Sequence, residues 1–600
     1  MNNPFSNNYP ENMSNQQIKE LFVDEFVDLT NILNHNHHFI WGARGSGKSM
    51  LFRYIEACCF SDSIAELREQ NLIDCPIIPI YYKISSNSLR IVEFSLIDKN
   101  YATLLSEHMM VMSIARLTLN TIMKYKEITQ EEKVIYVKKV VYELFSINVE
   151  KSITRVNKIK KMENEPLEWL DSICRCEFQA VVEYLKNSYK KVETDYQGTI
   201  VGYHDFLLPF FELTKKMIKI ENLVFYLLID EAGRTYEFQQ EILNGWIACR
   251  NHDVLSIKVT AVKAEYLTFY TRDRWSIQNT HDFSETELNI VHYSKSDYKR
   301  KIKKIIKKRF DAYGIQIDNI EKFYPTDKRQ EEIIDYERNL LKQEYDNGLK
   351  KGTFGVYCSR MLMPRVYQNL SDKHLSPSYS GFDLILAASS GIIRNFLEPS
   401  RMMYDAAMQQ NDKVNEISVR IQTEVINEYS KKFFEKIRYI SSDSQERILL
   451  TYLENLIMAL GKYFRERLLT KGLVEGRIFS FTIKQFDRLE YEERRVLQLA
   501  EQYDYLQKSY YSGKNGTSTE DWYLLSRRLA PFFKLDPTAI KGRLALSVDD
   551  VKLAMHNPEE FLEKKKNRLQ KKVEKEEIHQ MSLFDCEEED ILYVEEEEDE

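Results

Sequence analysis

The chain has 600 residues, a formal net charge of −8, and 43% hydrophobic and 12% aromatic residues, enough for several buried cores and, by length, two to four domains. No run of 18 apolar residues occurs, so no membrane-spanning helix is expected, and the eight scattered cysteines, such as Cys58-Cys59 and Cys174-Arg175-Cys176, lack zinc-finger spacing and read as reduced thiols. The stretch Asp585–Glu600 holds 11 acids; the rest of the chain is therefore near neutral to slightly basic, which permits a nucleic-acid face without demanding one.

The first 15 residues are Asn-rich and polar, unlike a signal peptide, and a cytoplasmic protein is expected. Ser14 and Gln17 have capping-box spacing, and Ile18, Leu21, Phe22, Leu29 and Leu33 then follow helical spacing, which predicts one helix leading to the first strand. His35, His37 and His38 read as a polar approach loop, with a metal site as the lesser alternative. His38–Trp41 is a short β-prone run. Gly42-Ala43-Arg44-Gly45-Ser46-Gly47-Lys48-Ser49 follows and fits G-x-x-x-x-G-K-[ST] at every specified position; Met50–Ile55 then reads as a helix. Each residue type has a job: the glycines let backbone N–H groups turn toward phosphate oxygens, Lys48 supplies positive charge, Ser49 offers a hydroxyl to Mg²⁺, and the helix from Met50 points its positive end at the ligand.

Pro76–Tyr82 predicts a second strand, and about 102–220 reads as a helical insertion without evident chemistry. The apolar run Leu223–Ile229 predicts a strand buried on both faces. It ends in Asp230-Glu231, a Walker B arrangement in which Asp230 would hold Mg²⁺ and Glu231 would activate water. Ser256–Val262 reads as the next strand. Thr260 and Lys263 at its end either sense the γ-phosphate or are ordinary strand residues. Arg272 and Arg274 are candidates to reach a neighbouring copy's nucleotide in a self-oligomer. The basic run Ser294–Phe310 predicts a helix that grips phosphates or is simply solvated. Gly391 followed by Arg394, opening an apolar helix, suits a lid arginine over a triphosphate, or Arg394 is a surface arginine near a helix start.

P-loop, Asp-Glu strand end, later strand and Gly-x-x-Arg helix occur in the order seen in AAA+ ATPases. The chain most resembles their origin-recognition-type branch, whose members carry a winged helix after the lid. The resemblance implies an α/β fold: a P-loop core with a parallel sheet, helical insertion and helical lid, then a mostly α region with a winged helix. It implies ATP and Mg²⁺ as cofactors, Lys48 and Ser49 on phosphate and Mg²⁺, Asp230 on Mg²⁺, Glu231 as catalytic base and Arg394 as second sensor. The expected divisions are an arm at 1–17, the ATPase core at 18–285, the lid at 286–410, a linker and winged-helix-like domain at 411–560, and a tail at 561–600. The long insertion departs from simple members, as does the lack of an obvious arginine finger.

Toward the C-terminus, Glu490–Gln502 predicts one helix and Thr519–Phe533 another, capped by Thr519 or Ser518; a turn-rich segment with Lys541, Gly542 and Arg543 reads as a wing. Arg527, Arg528, Lys541 and Arg543 would contact double-stranded DNA, or the same domain would bind protein. Lys564–Lys575 is basic and helical in composition, and acidic low-complexity sequence expected to be disordered follows. Within it, Gln580-Met581-Ser582-Leu583-Phe584 resembles the peptide by which bacterial replication and repair proteins dock on the sliding clamp, with Gln580 at the pocket rim and Leu583 and Phe584 filling it; a generic hydrophobic dock, or no role, is the alternative. The leading expectation is an ATP-hydrolysing switch that engages DNA in bacterial genome surveillance or antiphage defence, the defence setting being implied by the family alone. The alternative is a signalling ATPase that recruits a protein partner. An ABC-type ATPase is disfavoured, since no LSGGQ-like signature is found.

Overall fold

The computed structural model describes all residues except 1–2, 7–8, 26, 60–62, 65, 67–75, 85–90, 146, 190–195, 197, 289–294, 318, 348–352, 412, 442–443, 474–475, 513–518, 540–541, 583–592 and 595–600. The chain forms two compact units, residues 9–289 and residues 1–8 with 290–600.

In the unit of residues 9–289, α1 (Asn15–Leu21) starts at Ser14 with a reciprocal cap: Gln17 N donates to Ser14 Oγ (3.2 Å) and Ser14 N to Gln17 Oε1 (3.0 Å). The helix does not run on to Leu33. It stops at Phe22, whose extended backbone lets its ring stack on Tyr54 at 4.1 Å, and a single new turn, Leu29–Ile32, begins at the Asp28 cap. Burial of Phe22, Ile32 and Leu33 against the sheet overrides the helical spacing.

The first sheet comprises β1 (His38–Trp41), β2 (Ile77–Lys83), β3 (Val224–Asp230), β4 (Leu255–Ala261) and β5 (Ser284–Glu287). Its order is β2-β3-β4-β1-β5, and every pairing is parallel. β3 and β4 are buried along their whole length, and the one lysine among their mostly apolar side chains, Lys258, is buried with its ammonium donating to the carbonyls of Asn34 (2.5 Å) and Asn36 (2.7 Å). α2 (Lys48–Cys58) follows β1. Between β2 and β3 lie α3 (Lys99–Ile122), α4 (Gln130–Lys139), α5 (Glu150–Asn157), α6 (Pro166–Tyr189) and α7 (Leu208–Ile218), and α8 (Glu237–Ala248) follows β3. Leu105, Met109, Ile173 and Phe210 from the inserted helices share one core with Phe225, Leu227 and Ile229 of β3.

Of the histidines before the P-loop, His35 is exposed in a bend as a polar approach loop requires, but His37 and His38 are not. His37 and His38 are fully buried because β1 is flanked on both sides: Ile257 N donates to His37 Nδ1 (3.0 Å), and His38 Nε2 bonds Thr286 Oγ1 (2.9 Å).

The second unit contains α9 (Lys295–Ala312), α10 (Lys328–Asp346), α11 (Phe354–Asp372), α12 (Phe382–Ala388), α13 (Ile393–Met408), α14 (Val419–Glu435), α15 (Ser444–Leu469), α16 (Tyr491–Gln502), α17 (Val548–His556) and α18 (Pro558–Ser582). The N-terminal arm belongs here: Phe5 is buried with its ring 5.6 Å from Phe310 and 6.2 Å from Tyr404. A second sheet, of β6 (Ser480–Ile483), β7 (Leu506–Ser512), β8 (Thr519–Leu525), β9 (Arg543–Leu546) and β10 (Tyr593–Val594), has the order β10-β9-β6-β8-β7.

Three expectations are corrected here. The helix expected over Thr519–Phe533 is strand β8, antiparallel to β7 over seven residue pairs, followed by a 3-10 turn at Arg527–Leu529 and a single α-helical turn at Ala530–Phe533. Its aromatic sequence favours the pleated surface, where Tyr523 stacks on Phe481 at 5.4 Å. Thr519 thus lies in a strand, and Ser518 lies outside the described residues. Of the segment expected as a wing, Lys541 lies outside the described residues and Arg543 opens β9, between β6 and β10, whereas the antiparallel pair is β7–β8. The basic start of the expected tail is folded. Phe561, Lys565 and Leu569 of α18 are buried, and Lys565 Nζ donates to Asp550 Oδ2 at 3.0 Å.

Candidate functional site

The P-loop leaves the C-terminal end of β1. Gly45 (φ 90°) and Gly47 (φ 106°) adopt left-handed backbone, which side-chain-bearing residues rarely do, and Gly47 caps α2. A Cβ on Gly42 would stand 2.6 Å from Ser46 Oγ. Lys48 is buried and donates to Gly42 O (2.6 Å) and Ala43 O (2.9 Å), so its ammonium is held within the curl of the loop. Ser46 Oγ is buried with no hydrogen-bond partner among the described residues. Ser49 and Met50, both half-buried, occupy the first turn of α2. Arg44 is pinned by Glu265, with Nε and Nη2 at 3.0 and 2.5 Å from Glu265 Oε1.

The acidic pair lies one strand away. Gly42 N donates to Ala261 O at 3.2 Å, which ties the loop to the end of β4. The neighbouring Thr260 donates through Oγ1 to Asp230 Oδ1 and accepts from Glu231 N at 3.2 Å. Asp230 is fully buried and also accepts from Tyr81 Oη at 2.9 Å. Burial and the Asp230 charge push the Tyr81 phenol far above its ordinary value, so it remains a donor. Glu231 takes left-handed backbone (φ 64°), costly for glutamate, and Arg234 Nη1 lies 2.8 Å from its Oε2. The tertiary structure thus brings Lys48, Ser49, Asp230, Glu231 and Thr260 together in one unit through β1, β3 and β4. The fit to nucleotide and metal is chemical. A curl of backbone N–H groups, an unpartnered buried hydroxyl and a buried ammonium suit phosphate, and a serine hydroxyl with a carboxylate suits a hard divalent cation.

Sequence reasoning missed Tyr81 and Glu265, which act across 149 and 221 residues of chain. The only signal was that each sits at or just beyond the end of a strand next to the P-loop strand or the Asp230 strand.

Arg394 belongs to the other unit, exposed on the first turn of α13. The loop before it is held in shape: Ser390 (φ 53°) accepts from Arg527 N at 2.6 Å, and its carbonyl accepts from Gln507 Nε2 at 3.2 Å. Lys263 is exposed in the turn after β4. Arg272 Nη1 lies 3.8 Å from Glu107, and Arg274 is exposed at a left-handed position. On α9, Lys301 and Arg309 are buried, and Arg309 donates to Pro4 O at 3.1 Å, so that helix is more than a solvated basic face.

The arginines expected on DNA are engaged within their own fold. Arg528 lies 3.6 Å from the centroid of the Phe433 ring and donates to Tyr429 Oη at 3.1 Å. Arg527 Nη2 donates to Ala539 O at 3.0 Å, and burial lowers its pKa. Because they follow a strand and not a recognition helix, their guanidinium groups pack inward. Arg543 stacks over Trp522 at 4.8 Å. Lys541, Leu583 and Phe584 lie outside the described residues, and of Gln580 only its place in α18 is described. Among the described residues, no helix is long and apolar enough to cross a membrane.

The ORC-CDC6-like family model matches residues 3–376 and 356–546. No curated protein matches the chain in sequence. Among solved structures, the Orc1 protein of Aeropyrum pernix in complex with DNA aligns at 10% identity, covering 88% of this chain and 95% of that one, with a TM-score of 0.26. With most of its length matched, a P-loop on β1 and an Asp-Glu pair at the end of β3, the chain belongs to the ORC-CDC6-like family.

Proposed function

We propose that the protein is an ATP-binding and ATP-hydrolysing AAA+ switch that engages DNA, in bacterial genome surveillance or antiphage defence. The observation that carries the ATPase reading is the Thr260 hydroxyl joining Asp230 to the backbone of Glu231, beside a complete P-loop. In this reading Lys48 and the loop N–H groups bind the phosphates, and Ser49 and Asp230 hold Mg²⁺, which would neutralise phosphate charge. Glu231, fixed by its strained backbone and its bond to Thr260, orients water and takes its proton. Arg394 is the nucleotide-sensing arginine of the proposal.

For DNA, the order α15, β6, the short turn Phe486–Arg488, α16 and the β7–β8 hairpin supports a winged-helix reading with α16 as the recognition helix. Its exposed face, with Tyr491 and Gln498 and the half-buried Arg495 beside the exposed Arg488, replaces Arg527 and Arg528 as the proposed contact surface. The inward packing of those two arginines is also what favours the second reading, a signalling ATPase whose C-terminal region binds protein. Self-association and clamp capture through Gln580, Leu583 and Phe584 belong to the proposal at the level of partners.

The test is steady-state ATP hydrolysis with and without double-stranded DNA, with Glu231→Gln as control. Turnover that vanishes in Glu231→Gln while ATP stays bound supports the base assignment, and normal turnover there means another base. Stimulation by DNA supports the first reading; turnover indifferent to DNA moves the function to protein signalling.

A further inference from the structure

We propose that a cavity of about 690 Å³ between α10, α11 and the turn at Lys471–Leu473 is a binding site for a nucleoside phosphate, separate from the P-loop. It lies wholly within the unit of residues 1–8 and 290–600, whereas the P-loop lies in the other.

Three features specify the ligand. The first is charge. Arg360, Arg365, Lys373 and Lys471 line the cavity with two carboxylates, Glu337 and Asp372. Lys471 pairs with Asp372 at 2.8 Å, and Arg365 grips Glu344 at 2.6 and 2.8 Å. The side chains of Arg360 and Lys373 have no ion pair or hydrogen bond among the described residues, which leaves two cations for an anion.

The second is an orphaned acceptor. Asn369 Nδ2 donates to Glu337 at 2.6 Å, which fixes the orientation of the amide. Asn369 Oδ1 is buried with no hydrogen-bond partner among the described residues. A carboxamide oxygen accepts from N–H and O–H donors alike, and a nucleoside carries both kinds. The third is a flat apolar wall: Tyr357, Met361 and Leu473 line the same space, and the Tyr357 ring is held by its hydroxyl donating to Glu344 at 2.9 Å. The volume falls within the range that holds ligands of nucleotide size.

The test uses the full chain carrying Lys48→Ala, which weakens nucleotide capture by the P-loop. The 5′-monophosphates of adenosine, guanosine, cytidine and uridine, and separately inorganic phosphate, are titrated by isothermal calorimetry. The expected result is saturable one-to-one binding of at least one nucleotide, weakened about tenfold or more by Arg360→Ala with Lys373→Ala, and inorganic phosphate weaker than the nucleotide by about the same factor. The same double substitution in the chain with Lys48 intact should leave ATP capture by the P-loop and the urea unfolding of the whole chain unchanged, which confirms that both units are folded. Absence of saturation by every nucleotide up to about 10 mM overturns the proposal. So does binding indifferent to the double substitution, or inorganic phosphate binding as tightly as the nucleotide.

Discussion

Replacing Thr260 with Val keeps the volume of a fully buried strand residue and removes one hydroxyl. That hydroxyl donates to the Asp230 carboxylate and accepts from Glu231 N at 3.2 Å. A charge-assisted bond contributes about 1.5–3 kcal/mol and a neutral one about 1. Tyr81 still donates to Asp230 at 2.9 Å, so the carboxylate is not left bare and the low end applies. A loss of roughly 2 kcal/mol follows, felt partly in stability and partly in the placement of Glu231. If half to all of it falls on the transition state, kcat drops about 5- to 30-fold, since 1.36 kcal/mol is tenfold. ATP affinity should change by less than about threefold, because the Lys48 and loop contacts are untouched. Steady-state hydrolysis, equilibrium titration with a fluorescent ATP analogue and urea unfolding separate the three effects. Unaltered kcat with lowered stability would reduce Thr260 to a packing residue and remove the link between the two acids from the mechanism.

Lys48→Ala deletes an ammonium whose bonds to phosphate contribute roughly 1.5–3 kcal/mol each, so ATP affinity should fall by at least about tenfold in the same titration; retained affinity would sink the P-loop assignment. Acidification should weaken the fold through buried neutral histidines. Burial and Lys258 hold His38 down at about 3, burial holds His108 there too, and burial with His252 and Lys258 holds His37 well below its ordinary 6.5. Below pH 6.5 the unfolded chain binds protons that the folded chain refuses, so stability is complete above 6.5 and falls on acidification, by about 1.4 kcal/mol per histidine at pH 5.5. Glu501, pushed up to about 7 by burial, acts with the opposite sign, so the decisive comparison of urea midpoints at pH 7.5 and 5.5 is wild type against His38→Gln. Identical pH slopes in the two proteins would contradict the buried neutral state of His38. Converting Leu583 and Phe584 to Ala should abolish retention on immobilised sliding clamp; an undiminished pull-down of the double variant would retire the tail motif.

The nucleotide site was legible because its chemistry is local. Glycines at left-handed positions, Lys48 and Ser49 on the first turn of a helix, and an apolar run ending in Asp230-Glu231 are each written in a few consecutive residues, and β1, β3 and β4 fall within about one residue of their expected bounds. The sequence alone also determined the capping box at Ser14 and the helical character of the long insertion. Only the tertiary structure decided which groups complete the site and which surface the C-terminal region presents. Tyr81 and Glu265 reach Asp230 and Arg44 because β2 pairs with β3 and the turn after β4 lies against the loop, relations set by sheet order and by no local pattern. Thr519–Leu525 satisfies helical spacing as readily as strand alternation, and the outcome rested on a partner strand beginning at Leu506. That pairing turned Arg527 and Arg528 inward onto Ala539 and Phe433, so two cations expected on a DNA surface became half-buried within their own fold.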